Sequence, residues 1–316
     1  MDLVNARGVK YAQTEIDGNP YLLVRDSAGT WKRSDRPGRL LPLLALGRDE
    51  ALRETHRILA AGATIADEEA LIGASFGTPP TVRDFYAFED HVKAGRRSRD
   101  LDMDPLWYEQ PVFYFSNPYA VTGSGEVHST PHSREFDFEM EIAAVLWGGG
   151  KHLAPEDGEE LIAGYCILND WSGRDVQRKE MRMSMGPVKG KDTTTSLGPI
   201  FVTPDELADV RKNRSYDLTM RVTVNGTQLS ESNFSEMYWS FGEMISYAAR
   251  GTEVRAGDVL GSGTANGGCL LELRARRGGE SIEWLQPGDV VEITVDRLGT
   301  QRNTVVAAMP AVPLHH

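Results

Sequence analysis

Three carboxylates alternate along Phe136-Asp137-Phe138-Glu139-Met140-Glu141-Ile142-Ala143-Ala144-Val145. In an extended strand this spacing sets Asp137, Glu139 and Glu141 on one face and Phe138, Met140 and Ile142 on the other. The apolar face runs on into Ala143-Ala144-Val145 and reads as a core face. Carboxylates lined up on a half-buried strand repel one another and lose hydration, so they need a cation or must take up protons. A hard divalent metal with oxygen ligands meets that need. An edge strand with a solvated acidic face would show the same alternation, and the segment alone leaves both readings open.

Three further segments hold residue types that suit such a centre. In Tyr165-Cys166-Ile167-Leu168-Asn169-Asp170-Trp171-Ser172-Gly173-Arg174-Asp175-Val176-Gln177, an apolar strand ends at Asn169-Asp170 and a turn or short helix begins. Strand ends are where rigid elements present ligands. If the next segment is helical, Asp170, Arg174 and Gln177 share a face and offer a metal carboxylate, a fork for a substrate carboxylate and an orienting amide. Equally, Asp170 can be a helix cap and Arg174 a surface ion-pair partner. Gly190-Lys191-Asp192-Thr193-Thr194-Thr195-Ser196-Leu197-Gly198-Pro199 lacks the Gly-x-x-x-x-Gly-Lys spacing of a phosphate-cradling loop. It can present a lysine and hydroxyls to one point, or be an ordinary polar loop. Finally, His91 lies seven residues beyond Asp84 in Arg83-Asp84-Phe85-Tyr86-Ala87-Phe88-Glu89-Asp90-His91-Val92. On a helix that is two turns, so both side chains can face one pocket. A histidine there suits general base work, although single histidines on amphipathic helices are more often structural or solvated.

The elements that must position these residues are mostly short strands. Val9–Ala12, the turn Asp17-Gly18-Asn19-Pro20 and Tyr21–Val24 read as strand, turn, strand. Leu43 to Ala61 carries a helical pattern, and Gly77-Thr78-Pro79-Pro80 cannot continue a helix, which places a domain boundary near Gly73 to Pro80. Beyond it, strands are expected at Phe136–Val145, Tyr165–Asn169, Leu218–Val224, Val259–Ser262, Leu270–Arg274 and Val290–Val295, with Asn225-Gly226 and Pro287-Gly288-Asp289 as turns. Helices are expected around Phe85–Ala94, Pro204–Ala208 and Glu236–Ala249. The 32 glycines and 16 prolines of the 316-residue chain suit such a turn-rich, β-rich fold.

Net charge is −12 and no block of Lys and Arg is long enough to track phosphates, which disfavours nucleic-acid and anionic-membrane partners. Met1 to Tyr11 has no apolar stretch resembling a signal peptide, and no run of about eighteen apolar residues exists to span a membrane. Cys166 and Cys269 read as reduced core residues. A cytoplasmic setting fits all of this.

In this order, the four chemical segments strongly resemble the fumarylacetoacetate hydrolase family, over roughly Val82 to Val295. Asp84-Phe85-Tyr86 with His91 is similar to the family's Asp-Phe-Tyr segment and catalytic histidine. Glu139-x-Glu141 is similar to its paired metal glutamates, and Asn169-Asp170-Trp171-Ser172-x-Arg174-Asp175-x-Gln177 to the motif holding the fourth metal carboxylate and the substrate-binding Arg and Gln. Gly190-Lys191 with Thr195 resembles the lysine-threonine loop beside the metal. Leu270-Leu271-Glu272-Leu273 resembles the strand whose glutamate orients the histidine, and Gly263-Thr264 the loop that contacts substrate. Trp107-Tyr108-Glu109-Gln110-Pro111-Val112-Phe113-Tyr114 resembles a further substrate-contacting stretch. Smaller bacterial relatives carry Asn-Tyr-x-x-His-x-x-Glu on a lid. Phe88 and Ala94 stand here in place of that tyrosine and glutamate, which favours Glu272 as the partner of His91.

The resemblance implies a β-rich α+β fold, a mixed β-sandwich roll (residues 77–316) with a small N-terminal β-rich domain (residues 1–76), paired as a homodimer. It implies Mg²⁺ or Mn²⁺, with Ca²⁺ as a further option, held by Asp84, Glu139, Glu141 and Asp170, with Lys191 and Thr195 beside it. Tyr86, Tyr114, Arg174, Gln177 and Thr264 would bind substrate, and His91, Glu272 and Lys191 would carry the chemistry. The implied activity is hydrolysis of a C–C bond in a small β-diketo or acylpyruvate-type acid. Decarboxylation or tautomerisation of a 2-oxo diacid such as oxaloacetate is the alternative on the same site. A non-catalytic, metal-stabilised scaffold is the reading from outside enzymology, and turnover on a dicarbonyl acid separates it from the other two.

Overall fold

The computed structural model describes residues 9–25, 29–66, 73–97, 100–277 and 282–312. The reading of Met1 to Tyr11 falls mostly outside them. Lys10–Ile16 and Asn19–Arg25 form a hairpin in register from Lys10↔Arg25 to Ile16↔Asn19. Its turn residues Asp17 and Gly18 both have positive φ, at 50° and 74°, the primed geometry that matches strand twist. The hairpin continues into the main sheet, where Lys10 pairs with Val202 and Tyr11 with Phe201.

The order across that twelve-stranded sheet is Ala63–Ile65, Trp31–Arg33, Asn19–Arg25, Lys10–Ile16, Phe201–Val202, Ile162–Asp170, Met140–Leu146, Val259–Gly261, Val82–Phe85 and Phe113–Ser116, with Thr195–Leu197 and Val121–Thr122 joined at the side. A second sheet of five strands runs Thr227–Asn233, Thr219–Val224, Val290–Val295, Gly299–Val306 and Gly125–His128. Together with the helices this is a mixed α+β, sheet-rich architecture, the class expected from the resemblance.

The Met140–Leu146 strand is buried along its whole length because both its faces are covered. Met140, Ile142, Ala144 and Leu146 belong to the core shared with Met220, Val222, Val291, Ile293 and Val295 of the second sheet. Ala143 and Val145 belong to the core shared with Leu40, Leu41 and Leu44 of the Leu40–Leu44 helix and Ile58 of the Arg48–Ala61 helix. Among the described residues no helix is long and apolar enough to cross a membrane.

Three expected elements differ. Phe136 to Val145 is not one strand: Phe136–Asp137 pairs with Ser172–Gly173 in a separate small sheet, and the long strand starts at Met140. Phe85–Ala94 is not a helix throughout. Val82–Phe85 is held between Val259–Gly261 and Phe113–Ser116 as a strand, and the helix Glu89–Arg97 begins where Glu89 and Asp90 can face its positive end. Leu270–Arg274, expected as a strand, lies in the helix Leu270–Arg277. Its Leu, Glu, Ala and Arg residues favour helix, and the Asp137 carboxylate accepts the first backbone N–H groups, from Leu270 at 2.7 Å and Leu271 at 3.0 Å.

Candidate active site

The carboxylates come from three neighbouring regions of one sheet. Asp84 stands near the end of Val82–Phe85, Asp170 ends Ile162–Asp170, and Glu141 is the second residue of Met140–Leu146, with Glu139 just before it. Alternation puts Asp84 on the face of Val82, Glu141 on that of Ala143 and Asp170 on that of Leu168, and all three apolar residues share one core. All four acids are buried, and one oxygen of each lies within 4.8 Å of the others.

A glycine makes room for this convergence. Gly261, between Asp84 and Ala143 in the sheet, would with a Cβ place it 2.4 Å from Asp84 Oδ1 and 3.1 Å from Glu141 Oε2. Two residues on, the Gly263 amide donates to the same two carboxylates, at 3.2 Å and 3.1 Å. Sequence reasoning passed over Gly261; its signal was a glycine closing an apolar strand just before Gly263-Thr264. A Gly261→Ala variant should weaken Mn²⁺ binding by about tenfold or more, because overpacking costs about 1–3 kcal/mol and about 1.4 kcal/mol is tenfold in affinity. Titration calorimetry checks this, and wild-type affinity would remove Gly261 from the site.

Electrostatics divides the cluster. Burial, then the negative charge of Asp170, pushes the Asp84 carboxyl up to about 7. Burial and the charges of Asp84, Glu139 and Asp170 push Glu141 well above the usual range, and Asp84 and Glu141 share a hydrogen bond. Asp170 is also raised, by burial, although Lys191 opposes the shift. Glu139 alone is lowered: burial works against it, but Lys191, Arg174 and then His91 outweigh that cost. Lys191 Nζ donates to Glu139 Oε2, and to Asp170 Oδ2 at 2.6 Å. The Tyr114 hydroxyl also donates to Asp170 Oδ2, and Thr264 Oγ1 lies 3.5 Å from Glu141 Oε1.

The donor set fits a hard divalent ion. Every candidate ligand is a carboxylate oxygen, Asp170 Oδ1 is buried without a hydrogen-bond partner, and Lys191 with Arg174 offsets only part of the negative charge. The raised carboxyls have a pH consequence. A carboxyl whose folded pKa lies above its unfolded value stabilises the metal-free fold at low pH, and that contribution is lost as pH rises through the folded value, here about 7 for Asp84. Metal binding needs the ionised form. Saturating Mn²⁺ should therefore raise Tm more at pH 8 than at pH 6, and binding at pH 6 should release protons. Calorimetry in buffers of different ionisation enthalpy measures that release, and none at pH 6 would contradict the shift.

His91 sits beside the acids with a partner of its own. Its Nδ1 is 2.8 Å from Glu272 Oε2, and Glu272 also pairs with Arg276 one turn along its helix. Both His91 and Glu272 are buried. The His91 backbone N–H donates to Asn266 Oδ1 at 3.2 Å, and Asn266 Nδ2 donates to Glu236 at 2.7 Å. Asn266, two residues past Thr264, also escaped sequence reasoning. The Tyr86 ring stands edge-on to His91, 5.6 Å between centroids.

Arg174 is buried, with Nε and Nη2 each 2.8 Å from Asp137 Oδ2 and Nη1 2.7 Å from Glu139 Oε1. Its fork is engaged inside the protein. Gln177 Oε1 is 3.4 Å from Arg174 Nη1. Thr195 pairs with Asp170 in the sheet, and its hydroxyl is 3.5 Å from that of Ser116. Asp137, which alternation set beside Glu139 and Glu141, leaves the acidic cluster for Arg174 and the Leu270–Arg277 helix. Cys166 and Cys269 are buried free thiols.

Residues 81–306 match the family model described as the fumarylacetoacetate (FAA) hydrolase C-terminal region, and the chain belongs to that family. Among curated relatives it is 30% identical over 276 residues to a fumarylacetoacetase of Oryza sativa subsp. japonica, covering 68% of this chain and 64% of the relative. It is 29% identical over 199 residues to oxaloacetate tautomerase YisK of Bacillus subtilis, covering 62% of each. The chain thus spans less than two thirds of the length of these two relatives. A fumarylacetoacetate hydrolase from psychrophilic Exiguobacterium antarcticum shares the fold, with TM-score 0.72, 23% identity and coverage of 95% of this chain and 99% of that one. So does a fumarylpyruvate hydrolase from Pseudomonas aeruginosa solved with Mn²⁺ and pyruvate, with TM-score 0.58, 22% identity and coverage of 72% and 90%.

Proposed function

We propose that this chain is a divalent-metal-dependent hydrolase that cleaves a C–C bond in a small β-diketo or acylpyruvate-type acid. The observation that carries this reading is the buried His91–Glu272 pair beside four converging carboxylates. Support comes also from the relative named a fumarylacetoacetase and the structural neighbour that holds Mn²⁺ and pyruvate.

Asp84, Glu139, Glu141 and Asp170 would hold the ion. Bound there, Mg²⁺ or Mn²⁺ supplies a Lewis acid that polarises a carbonyl oxygen and offsets enolate charge. With Nδ1 held by Glu272, His91 accepts a proton at Nε2 from a water molecule, which attacks the acyl carbonyl carbon. Lys191 uses two N–H groups on Glu139 and Asp170, and its third is available to the developing oxyanion. The C–C bond then breaks, the electron pair leaves with the pyruvate-type fragment as its enolate, and a proton from His91 completes the products. An acylpyruvate plus water gives a carboxylic acid plus pyruvate.

A second reading is favoured by the Bacillus subtilis relative, named an oxaloacetate tautomerase. On the same residues, His91 would move a proton at the carbon between two carbonyl groups and no water would add. Assaying the purified protein with Mg²⁺ on an acylpyruvate and on oxaloacetate separates the two. Pyruvate release from the acylpyruvate supports hydrolysis. Accelerated keto–enol exchange or decarboxylation of oxaloacetate, with the acylpyruvate untouched, overturns it.

A further inference from the structure

We infer that Asp137 is a positioning residue that fixes the histidine's helix and the metal carboxylates relative to each other; this rests on the function proposed above. Asp137 is fully buried and lies outside the acidic cluster. Its Oδ1 accepts the Leu270 amide at 2.7 Å, and its Oδ2 accepts the Leu271 amide at 3.0 Å. These are the first two N–H groups of the helix that carries Glu272, the partner of His91. The same Oδ2 accepts from Arg174 Nε at 2.8 Å and lies 2.8 Å from Nη2 in a buried ion pair. Arg174 then reaches with Nη1 to Glu139 Oε1 at 2.7 Å.

The route is continuous: His91, Glu272, helix N-terminus, Asp137, Arg174, Glu139. The links after Glu272 are the helix backbone, the charge-assisted hydrogen bonds at Asp137 and the buried ion pair from Arg174 to Glu139. Asp137 also settles how Arg174 divides its charge. While Asp137 holds two of its nitrogens, Glu139 receives only the third. Without the Asp137 charge, Arg174 turns its full attraction on Glu139, which competes directly with a cation for that carboxylate. Removing one negative charge from the neighbourhood weakens cation binding in the same direction.

The test is Asp137→Asn, close to the same shape but uncharged. Mn²⁺ affinity measured by calorimetry should fall roughly 10–100-fold, the range typical for partners that orient metal ligands. On an acylpyruvate under saturating Mn²⁺, kcat should fall while KM stays near the wild-type value, because the base is displaced and substrate contacts are not. A role in stability alone would lower Tm and leave both Mn²⁺ affinity and kcat of the folded protein unchanged; that result overturns the inference. If the Asn variant does not fold, Asp137→Ser carries the same test, since a hydroxyl still accepts a helix amide. The two proposals fail separately. A wild-type protein without turnover on any dicarbonyl acid sinks the proposed function and leaves the Mn²⁺ measurement to judge Asp137.

Discussion

Replacing His91 by alanine should lower kcat at least ~100-fold, the low end of what a positioned base contributes, with Mn²⁺ affinity unchanged. The separation follows from the geometry. His91 binds Glu272 rather than any of the four clustered carboxylates, so its removal takes away a proton acceptor and none of the four carboxylates proposed to hold the ion. Steady-state assays on an acylpyruvate, with calorimetry for Mn²⁺, read both quantities. Full activity in the alanine variant would transfer the base role elsewhere. A large loss of Mn²⁺ affinity would mean that the imidazole, contrary to the proposal, belongs to the ion's own surroundings. Because the histidine helix is tied to Asn266 through its backbone, truncating the ring leaves the helix itself anchored.

Glu139→Ala should abolish Mn²⁺ binding and turnover together. Glu139 receives Lys191 on one oxygen and Arg174 on the other, so its loss does more than delete a ligand. Two buried cations are left facing the place where a third would sit. Stability should drop as well, on the order of 3–5 kcal/mol as for other broken buried ion pairs. Glu139→Gln, which keeps the volume, isolates the charge effect from the cavity. Metal content after gel filtration, with a thermal melt, checks the outcome. If the alanine variant retains wild-type Mn²⁺ affinity, the acidic cluster is not the metal centre.

Much of the acidic cluster was legible because strand alternation is local. Glu139 and Glu141 two apart, and Asp170 at the end of an apolar run, need no knowledge of the rest of the chain. What stayed hidden depends on partners far away in sequence. Asp137 looks like a third member of the alternating set, yet its pairing with Gly173's neighbour Ser172 and its capping of a helix 133 residues on turn it elsewhere. Leu270–Arg274 reads as a strand from its own residues because a short apolar run carries no reliable period; the remote cap decides for helix. Arg174 has the right fork for a substrate carboxylate, but its buried carboxylate partners could not be seen from its own segment. Gly261 was visible only as a small residue, and its meaning lies in two carboxylates contributed by other strands.

The candidate ligands come from one sheet, and Val259–Gly261 must slot in between Met140–Leu146 and Val82–Phe85 before Asp84 is brought close to the others. Such non-local, parallel pairing is intrinsically slow to form, because loop-closure entropy must be met before its contacts stabilise it. While the nascent chain is still collapsing, the four acids stay dispersed and hydrated, and their mutual repulsion is deferred until the hydrophobic framework can withstand it. A cation that bound the assembled cluster would act as a latch on a nearly finished molecule, not as a seed around which it condenses.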